Sequence, residues 1–269
     1  MVTKRSLKLA ATFTLLFAMN ASAFMAIGHR GVRRLEDENT IAAMRLALER
    51  GADGIETDVR LTSDGVPVIM HDPWLDRTTG GSGRVRGVTA EEFAKLRTDR
   101  GHTPPTLKEV LDELGDRDIT IFLEIKRPGP DVLEALDDVL SRYDGKAEIA
   151  LFSTSADFLE TAQERMPLVK TYFSPVHPYR PEKTALAHDL DGLLVVDFYI
   201  TKGLVKRAHA AGLPVIASMV DGEGNLARVM EKGVDGALLN DPAIAGEEAI
   251  KGRCGNDSAT SASLYRNAR

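Results

Sequence analysis

Gly54-Ile55-Glu56-Thr57-Asp58-Val59-Arg60-Leu61-Thr62-Ser63-Asp64-Gly65-Val66-Pro67-Val68-Ile69-Met70-His71-Asp72 joins two β-rich runs that cannot belong to one parallel set. The first run is Gly54–Val59, and only Arg60 to Gly65 separate it from the second, Val66–Met70. A parallel crossover needs roughly a dozen residues or more, so the second run must return antiparallel. Asp64-Gly65 supplies the chemistry of a tight reversal. The return brings His71 back over the end of the first run, where Glu56 and Asp58, two apart, share one face by strand alternation.

Outward from this hairpin the chain alternates β-rich and helical segments. With Gly54–Val59, the parallel strand candidates are Phe24–Gly28, Ile119–Ile125, Ile149–Ser153, Val169–Phe173, Gly192–Val196, Pro214–Met219 and Gly236–Leu239. Mostly apolar and weakly alternating, several of them read as strands buried on both faces. The helices between them carry their punctuation: Thr106 with Glu109 forms a capping box, and Gly51 and Gly212 follow helical stretches as C-terminal caps. Such a run of βα units fits a barrel or a doubly wound sheet. No Pro/Gly/Ser linker divides it. The expectation is an α/β protein, a TIM-like (β/α)8 barrel over residues 24–250. Residues 73–105, rich in Gly, Thr and Arg and poor in periodicity, read as a small cap inserted after the second strand and its hairpin.

The ends read differently. Lys4, Arg5 and Lys8, the apolar run Leu9 to Met19 and Ala21-Ser22-Ala23 have the order of a secretory signal peptide over residues 1–23. The run is short for a span of ~20 residues. The expected location is therefore periplasmic or secreted, with no stable membrane span in the mature form. The alternative is an uncleaved, tethering segment, since cleavage after Ala23 leaves few residues before His29. Residues 251–269 read as a disordered polar tail holding the only cysteine, Cys254, so there is neither a disulfide framework nor a thiolate zinc site. A net charge of −6 argues against a general nucleic-acid binder, while a small anionic ligand needs only a few local cations.

In a parallel barrel, chemistry gathers at the C-terminal strand ends. His29 and Arg30 end the first strand, Glu56 and Asp58 lie near the end of the second, and Glu124 and Lys126 near the end of the third. Three carboxylates in one cleft repel one another and raise their own pKa values unless a cation holds them. Left without a ligand in a buried strand, they would carry a desolvation cost, which weighs against a merely solvated face. All-oxygen ligation suits a hard divalent metal ion, Mg2+ or Ca2+; zinc fits less well, although His29 and His71 are near.

Gly28-His29-Arg30-Gly31, Glu38-Asn39-Thr40, Glu56-Thr57-Asp58-Val59, His71-Asp72 and Glu124-Ile125-Lys126, with the Leu61–Val68 hairpin between the halves, together resemble the ordered signature of glycerophosphodiester phosphodiesterases over Ala26 to Pro242. The resemblance implies metal-dependent hydrolysis of glycerophosphodiesters to glycerol 3-phosphate and an alcohol. It makes Glu56, Asp58 and Glu124 the metal ligands, His29 and His71 the acid/base pair, and Arg30 and Lys126 the phosphate contacts. The chemistry needs such a set: cations offset charge developing on phosphate oxygens, and two histidines exchange protons with nucleophile and leaving alkoxide. His29 is assigned as base and His71 as acid, a direction that the residues alone leave open.

The likeness departs late in the chain. Ser218-Met219-Val220-Asp221 stands where a Trp-Thr-Val-Asn-like run is frequent, and Leu239-Asn240-Asp241-Pro242 replaces Thr-Asp-x-Pro. Losing the tryptophan removes an apolar wall and bears on head-group choice. Two rival readings share the barrel: a lysophospholipase D-like or sphingomyelinase D-like lipid phosphodiesterase, which no amphipathic or aromatic-rich stretch supports, and a non-catalytic exported barrel that binds phosphorylated ligands. Outside the motifs, His102, His177, His188 and His209 read as surface or packing residues. Glu38 reads either as a helix-opening acid or as a residue that orders Arg30, and Trp74 either as a lid over substrate or as part of the cap's small core.

Overall fold

Strand β1 (Met25–His29) pairs in parallel with β2 (Gly54–Leu61) on one side and with β9 (Gly236–Leu239) on the other, which closes the sheet on itself. This is seen in a computed structural model, which describes residues 24–246. Between them run β4 (Thr120–Ile125), β5 (Glu148–Ser153), β6 (Lys170–Phe173), β7 (Gly192–Val196) and β8 (Val215–Val220), all parallel. The ninth strand, β3 (Pro67–Ile69), is antiparallel to β2, with Val59 opposite Ile69 and Leu61 opposite Pro67. The eight-stranded barrel and its hairpin are thus those expected. Strand ends differ from expectation by a residue or two, most visibly where β2 runs on to Leu61, because pairing with β3 extends it past the barrel mouth.

Helices α1 (Ile41–Glu49), α3 (Leu107–Leu114), α4 (Pro130–Leu140), α5 (Ala156–Arg165), α6 (Pro181–Ala187), α7 (Lys202–Ala210) and α8 (Glu223–Glu231) surround the strands, and the short α2 (Ala90–Phe93) belongs to the cap. Thr106 and Glu109 cap α3 reciprocally, which satisfies donors that the first turn leaves free. Gly51 and Gly212 take positive φ just after α1 and α7, the conformation in which a residue without Cβ ends a helix cheaply.

Alternation along each strand explains both the core and the site. In β1, Ala26 faces the helices and Ile27 the barrel interior; in β4, Ile121 and Leu123 face out and Phe122 in. Ile27, Phe122, Phe152, Leu194, Ile216 and Leu238 fill the interior as one apolar layer, each such side chain contributing ~1.5–3 kcal/mol on burial. Two residues further along, the inward positions are His29, Glu124 and Ser218, and in β2 they are Glu56 and Asp58. The apolar plug therefore gives way to a polar layer at the C-terminal mouth.

Residues between β3 and α3 hold a 3-10 turn (Val85–Gly87) and α2, and pack a separate small core of Val68, Met70, Leu75, Val85 and Phe93. The expected signal peptide, residues 1–23, and the expected tail, residues 251–269, lie outside the described residues. Among those described, no helix is long and apolar enough to cross a membrane.

Candidate active site

Loop His29-Arg30-Gly31 turns sharply at the end of β1: Arg30 has φ 53° and Gly31 φ 81°. A Cβ on Gly31 would lie 2.5 Å from the Ala43 carbonyl carbon, so only glycine lets α1 approach here. The turn aims the Arg30 backbone N–H at Glu56 Oε2, 2.9 Å away. It also sets the Arg30 guanidinium between Glu38 Oε1, at 2.9 Å, and Asp58 Oδ2, at 3.4 Å.

Helix α1 begins at Ile41 with Thr40 as its N-cap, so Glu38 does not open the helix. Its carboxylate instead accepts from both Arg30 and Arg77. These partners keep Glu38 below the usual carboxylate range although burial pushes the other way. The reading in which Glu38 orders Arg30 is the one the geometry bears out.

Glu56 and Asp58 are fully buried, and their oxygens lie within 4.8 Å of one another and of Glu124. Lys126 Nζ sits 2.8 Å from Glu124 Oε2 and 2.9 Å from Asp58 Oδ1. Burial would raise the Asp58 carboxyl, but Lys126, Arg30 and a hydrogen bond from Asn39 outweigh it and hold it low. For Glu56 the balance falls the other way: Arg30 and Lys126 lower it, but by less than its surroundings raise it. Burial first, then the charges of Asp58 and Glu124, push it well above the usual range. Its Oε1 is buried without a hydrogen-bond partner.

The two histidines flank this cluster. His29 Nδ1–H donates to Asn240 Oδ1 at 2.9 Å, and the Asn240 amide is oriented by donating to Asp221 at 3.1 Å. The other nitrogen, Nε2, is thereby left with its lone pair, 3.9 Å from Glu56 Oε2. Burial, and next the Arg30 charge, lower His29 to about 4. His71 arrives from β3: the Met70 N–H bonds the Asp58 carbonyl at 2.9 Å, and Arg60 donates to the His71 carbonyl. Its Nδ1–H donates to Asp72 Oδ1 at 2.6 Å, while Arg77 binds the other Asp72 oxygen. Burial lowers His71 as well, but Asp58 and Asp72 oppose it.

All seven sequence-derived candidates, His29, Arg30, Glu56, Asp58, His71, Glu124 and Lys126, therefore meet at one mouth. Sequence reasoning gave no role to Asn39, Asp72, Arg77 or Asn240. Asn39 donates to Asp58 Oδ2 at 2.7 Å and accepts from Thr57 at the same distance. Its place inside Glu38-Asn39-Thr40 was the available signal, and for Asn240 it was the altered Leu239-Asn240-Asp241-Pro242 run at the end of the last strand; Arg77, 39 residues from its partner Glu38, had none. Trp74 is not in the cap core. It is 47% exposed, with the Arg84 guanidinium 4.5 Å from the ring centroid. Of the other histidines, His102, His188 and His209 pair with Glu36, Glu160 and Asp235 rather than with any of the seven candidates, and His177 is exposed.

A profile of the "Glycerophosphoryl diester phosphodiesterase family" matches residues 29–244. A glycerophosphodiester phosphodiesterase of Caldanaerobacter subterraneus subsp. tengcongensis is 34% identical over 229 residues, covering 81% of this chain and 94% of that protein. Human glycerophosphodiester phosphodiesterase 1 is 42% identical over 127 residues, 44% of this chain and 38% of that longer protein. The solved structure of an Oleispira antarctica phosphodiesterase in complex with the product sn-glycerol-3-phosphate superposes with a TM-score of 0.77 at 25% identity, covering 84% of this chain and 96% of that one. The chain thus belongs to the glycerophosphoryl diester phosphodiesterase family and, by that membership, is a phosphoric diester hydrolase.

Proposed function

We propose that the protein hydrolyses glycerophosphodiesters to glycerol 3-phosphate and an alcohol, with a divalent metal ion held by Glu56, Asp58 and Glu124. The observation that carries this reading is the buried, unpartnered Glu56 Oε1 inside a triangle of carboxylates, flanked by two histidines at the barrel mouth. The donor set fits a hard cation: all oxygen, with Glu56 lifted first by burial and then by the charges of Asp58 and Glu124. When bound, the ion, Mg2+ or Ca2+, supplies positive charge to the phosphate oxygens.

The chain's own residues do the rest. Arg30 and Lys126 neutralise and orient the phosphodiester, already aligned by Glu38, Asp58 and Glu124. His29, uncharged above about pH 4 with Nε2 free, takes the proton from the attacking hydroxyl. His71, oriented by Asp72, gives a proton to the departing alkoxide; burial lowers its pKa overall, and Asp58 and Asp72 offset part of that shift. Asn240 and Asp72 each fix a tautomer by occupying Nδ1. If residues 1–23 export the chain, this hydrolysis takes place in the periplasm or outside the cell.

One feature favours a lipid variant of the same reaction. Leu35, Val176, Tyr179, Phe198, Tyr199 and Met219 are all exposed, and all lie in or beside loops that follow β1, β6, β7 and β8 at the mouth. Scattered in sequence, they form no aromatic-rich stretch; the fold alone gathers them. Such a rim can hold an acyl chain of a lysophospholipid beside the phosphate site. The test is release of glycerol 3-phosphate from glycerophosphocholine beside choline release from lysophosphatidylcholine, each with EDTA or added metal. Absence of glycerophosphodiester turnover by metal-loaded protein sinks the main reading.

A further inference from the structure

Beside the active site lies a second cleft, of about 330 Å³, walled by Arg60, Arg84, Arg86 and Arg127 over a floor that includes Val59 and Val132. No acidic residue lines it. In a chain of net charge −6, this concentration of cations runs against the overall balance. Arg86 is tied to Asp131, whose carboxylate also feels the charge of Arg127. Arg84 is held by its stack on Trp74.

The cleft shares one wall with the catalytic mouth. Arg60 lines it while donating to the His71 carbonyl, and Pro73, also in its lining, stands two residues after His71. Arg127 follows Lys126 just after β4 and lines the cleft with Val59 and Val132, which belong to the helix-facing core. Because Arg60 also lies near enough to Asp58, Asp72 and Glu124 to feel their charge, a group bound against it is a neighbour of the phosphodiester.

Resting on the glycerophosphodiester reading, we propose that this cleft binds the leaving-alcohol part of the substrate when that alcohol carries a phosphate monoester. Asp131 lies beside Arg86 and Arg127, and Asp58, Asp72 and Glu124 lie near Arg60, but the walls of the open cleft itself carry only cations, which favours an anion there. Planar guanidinium forks match phosphate oxygens in pairs, and valines beneath suit the carbon skeleton between the two phosphates. The volume is at the small end of ligand sites, enough for a phosphorylated polyol.

The decisive comparison uses two diesters that differ only in the terminal phosphate: glycerophosphoglycerol and glycerophosphoglycerol phosphate. With metal-loaded protein, kcat/KM is expected to favour the phosphorylated diester by about tenfold or more, the size of a charge-assisted contact. Arg127→Gln and Arg84→Gln are each expected to bring that ratio towards one while leaving glycerophosphoglycerol turnover unchanged. A wild-type ratio at or below one, or a ratio indifferent to both substitutions, overturns the proposal. Trp74, the only tryptophan, gives a readout without turnover. In EDTA, the phosphorylated diester should change its fluorescence in wild-type protein and much less in Arg127→Gln. If neither diester is hydrolysed, the catalytic reading fails while this titration still decides the cleft: a response lost in Arg127→Gln supports it, an equal response refutes it. Inorganic phosphate binding as tightly as the diester would make free phosphate the ligand and overturn the head-group assignment.

Discussion

Replacing Asn39 by Ala probes how the metal-ligand candidates are held without touching any of them. Asn39 is buried, with φ 60°, and its amide bridges Asp58 Oδ2 and the Thr57 hydroxyl, both at 2.7 Å. The bond to the buried carboxylate is worth ~1.5–3 kcal/mol and the neutral one ~0.5–1.5 kcal/mol. Alanine at positive φ adds about 1 kcal/mol. The sum, ~3–5.5 kcal/mol, corresponds to a fall in Tm of roughly 6–22 °C for a domain of this size. Thermal and urea unfolding measure it, and Asn39→Gly separates the terms: it loses the same bonds without the backbone cost and should be less destabilised by about 1 kcal/mol. A loss below about 1 kcal/mol in Asn39→Ala would refute the bridging role of Asn39.

His29, lowered to about 4 chiefly by burial, should place the acid limb of kcat/KM well below the ordinary histidine value of about 6.5; a limb at 6.5 contradicts the assignment of His29 as base. The same shift sets a stability trend. The unfolded histidine takes up a proton first, so the contribution is intact above about pH 6.5 and declines as pH falls towards 4, which urea titrations across that range will read. His71→Ala should lower kcat by ~10²–10⁴ with the fold intact by circular dichroism. Asp72→Asn should move the His71 pKa further down, because it removes a contact that raises it, and pH–rate profiles give the direction. Phe198→Ser with Met219→Ser should depress lysophosphatidylcholine turnover and leave glycerophosphocholine unaffected; equal loss on both would reduce the rim to a structural feature.

What was legible in the chain followed from local rules. Only six residues between two β-rich runs forced an antiparallel return, and that one deduction put His71 beside Asp58. Alternation put Glu56, Asp58, Glu124 and His29 on the interior side, because each lies two residues from another inward position. What stayed hidden was long-range. No spacing rule links His29 to Asn240 or Glu38 to Arg77, which meet through closure of the barrel and packing of the cap. Of the two readings of Glu38, the helix-opening one fails because Thr40 takes the N-cap role, three residues before the Ala43 N–H from which it accepts, and the pairing with Arg30 stands. The mouth's apolar rim was invisible for a similar reason: its members come from four loops, none aromatic-rich alone.

The central claim is that three carboxylates hold a cation beside two proton-moving histidines, and that the assembly cleaves glycerophosphodiesters. It is tested most directly by following glycerol 3-phosphate release from glycerophosphocholine by wild-type, Glu56→Gln and His71→Ala proteins, in EDTA and after restoring Mg2+ or Ca2+. The account predicts release by wild-type protein that stops in EDTA and returns with the ion, and near-complete loss in both variants at every metal concentration. Full activity in Glu56→Gln, or release that EDTA leaves unchanged, would contradict it.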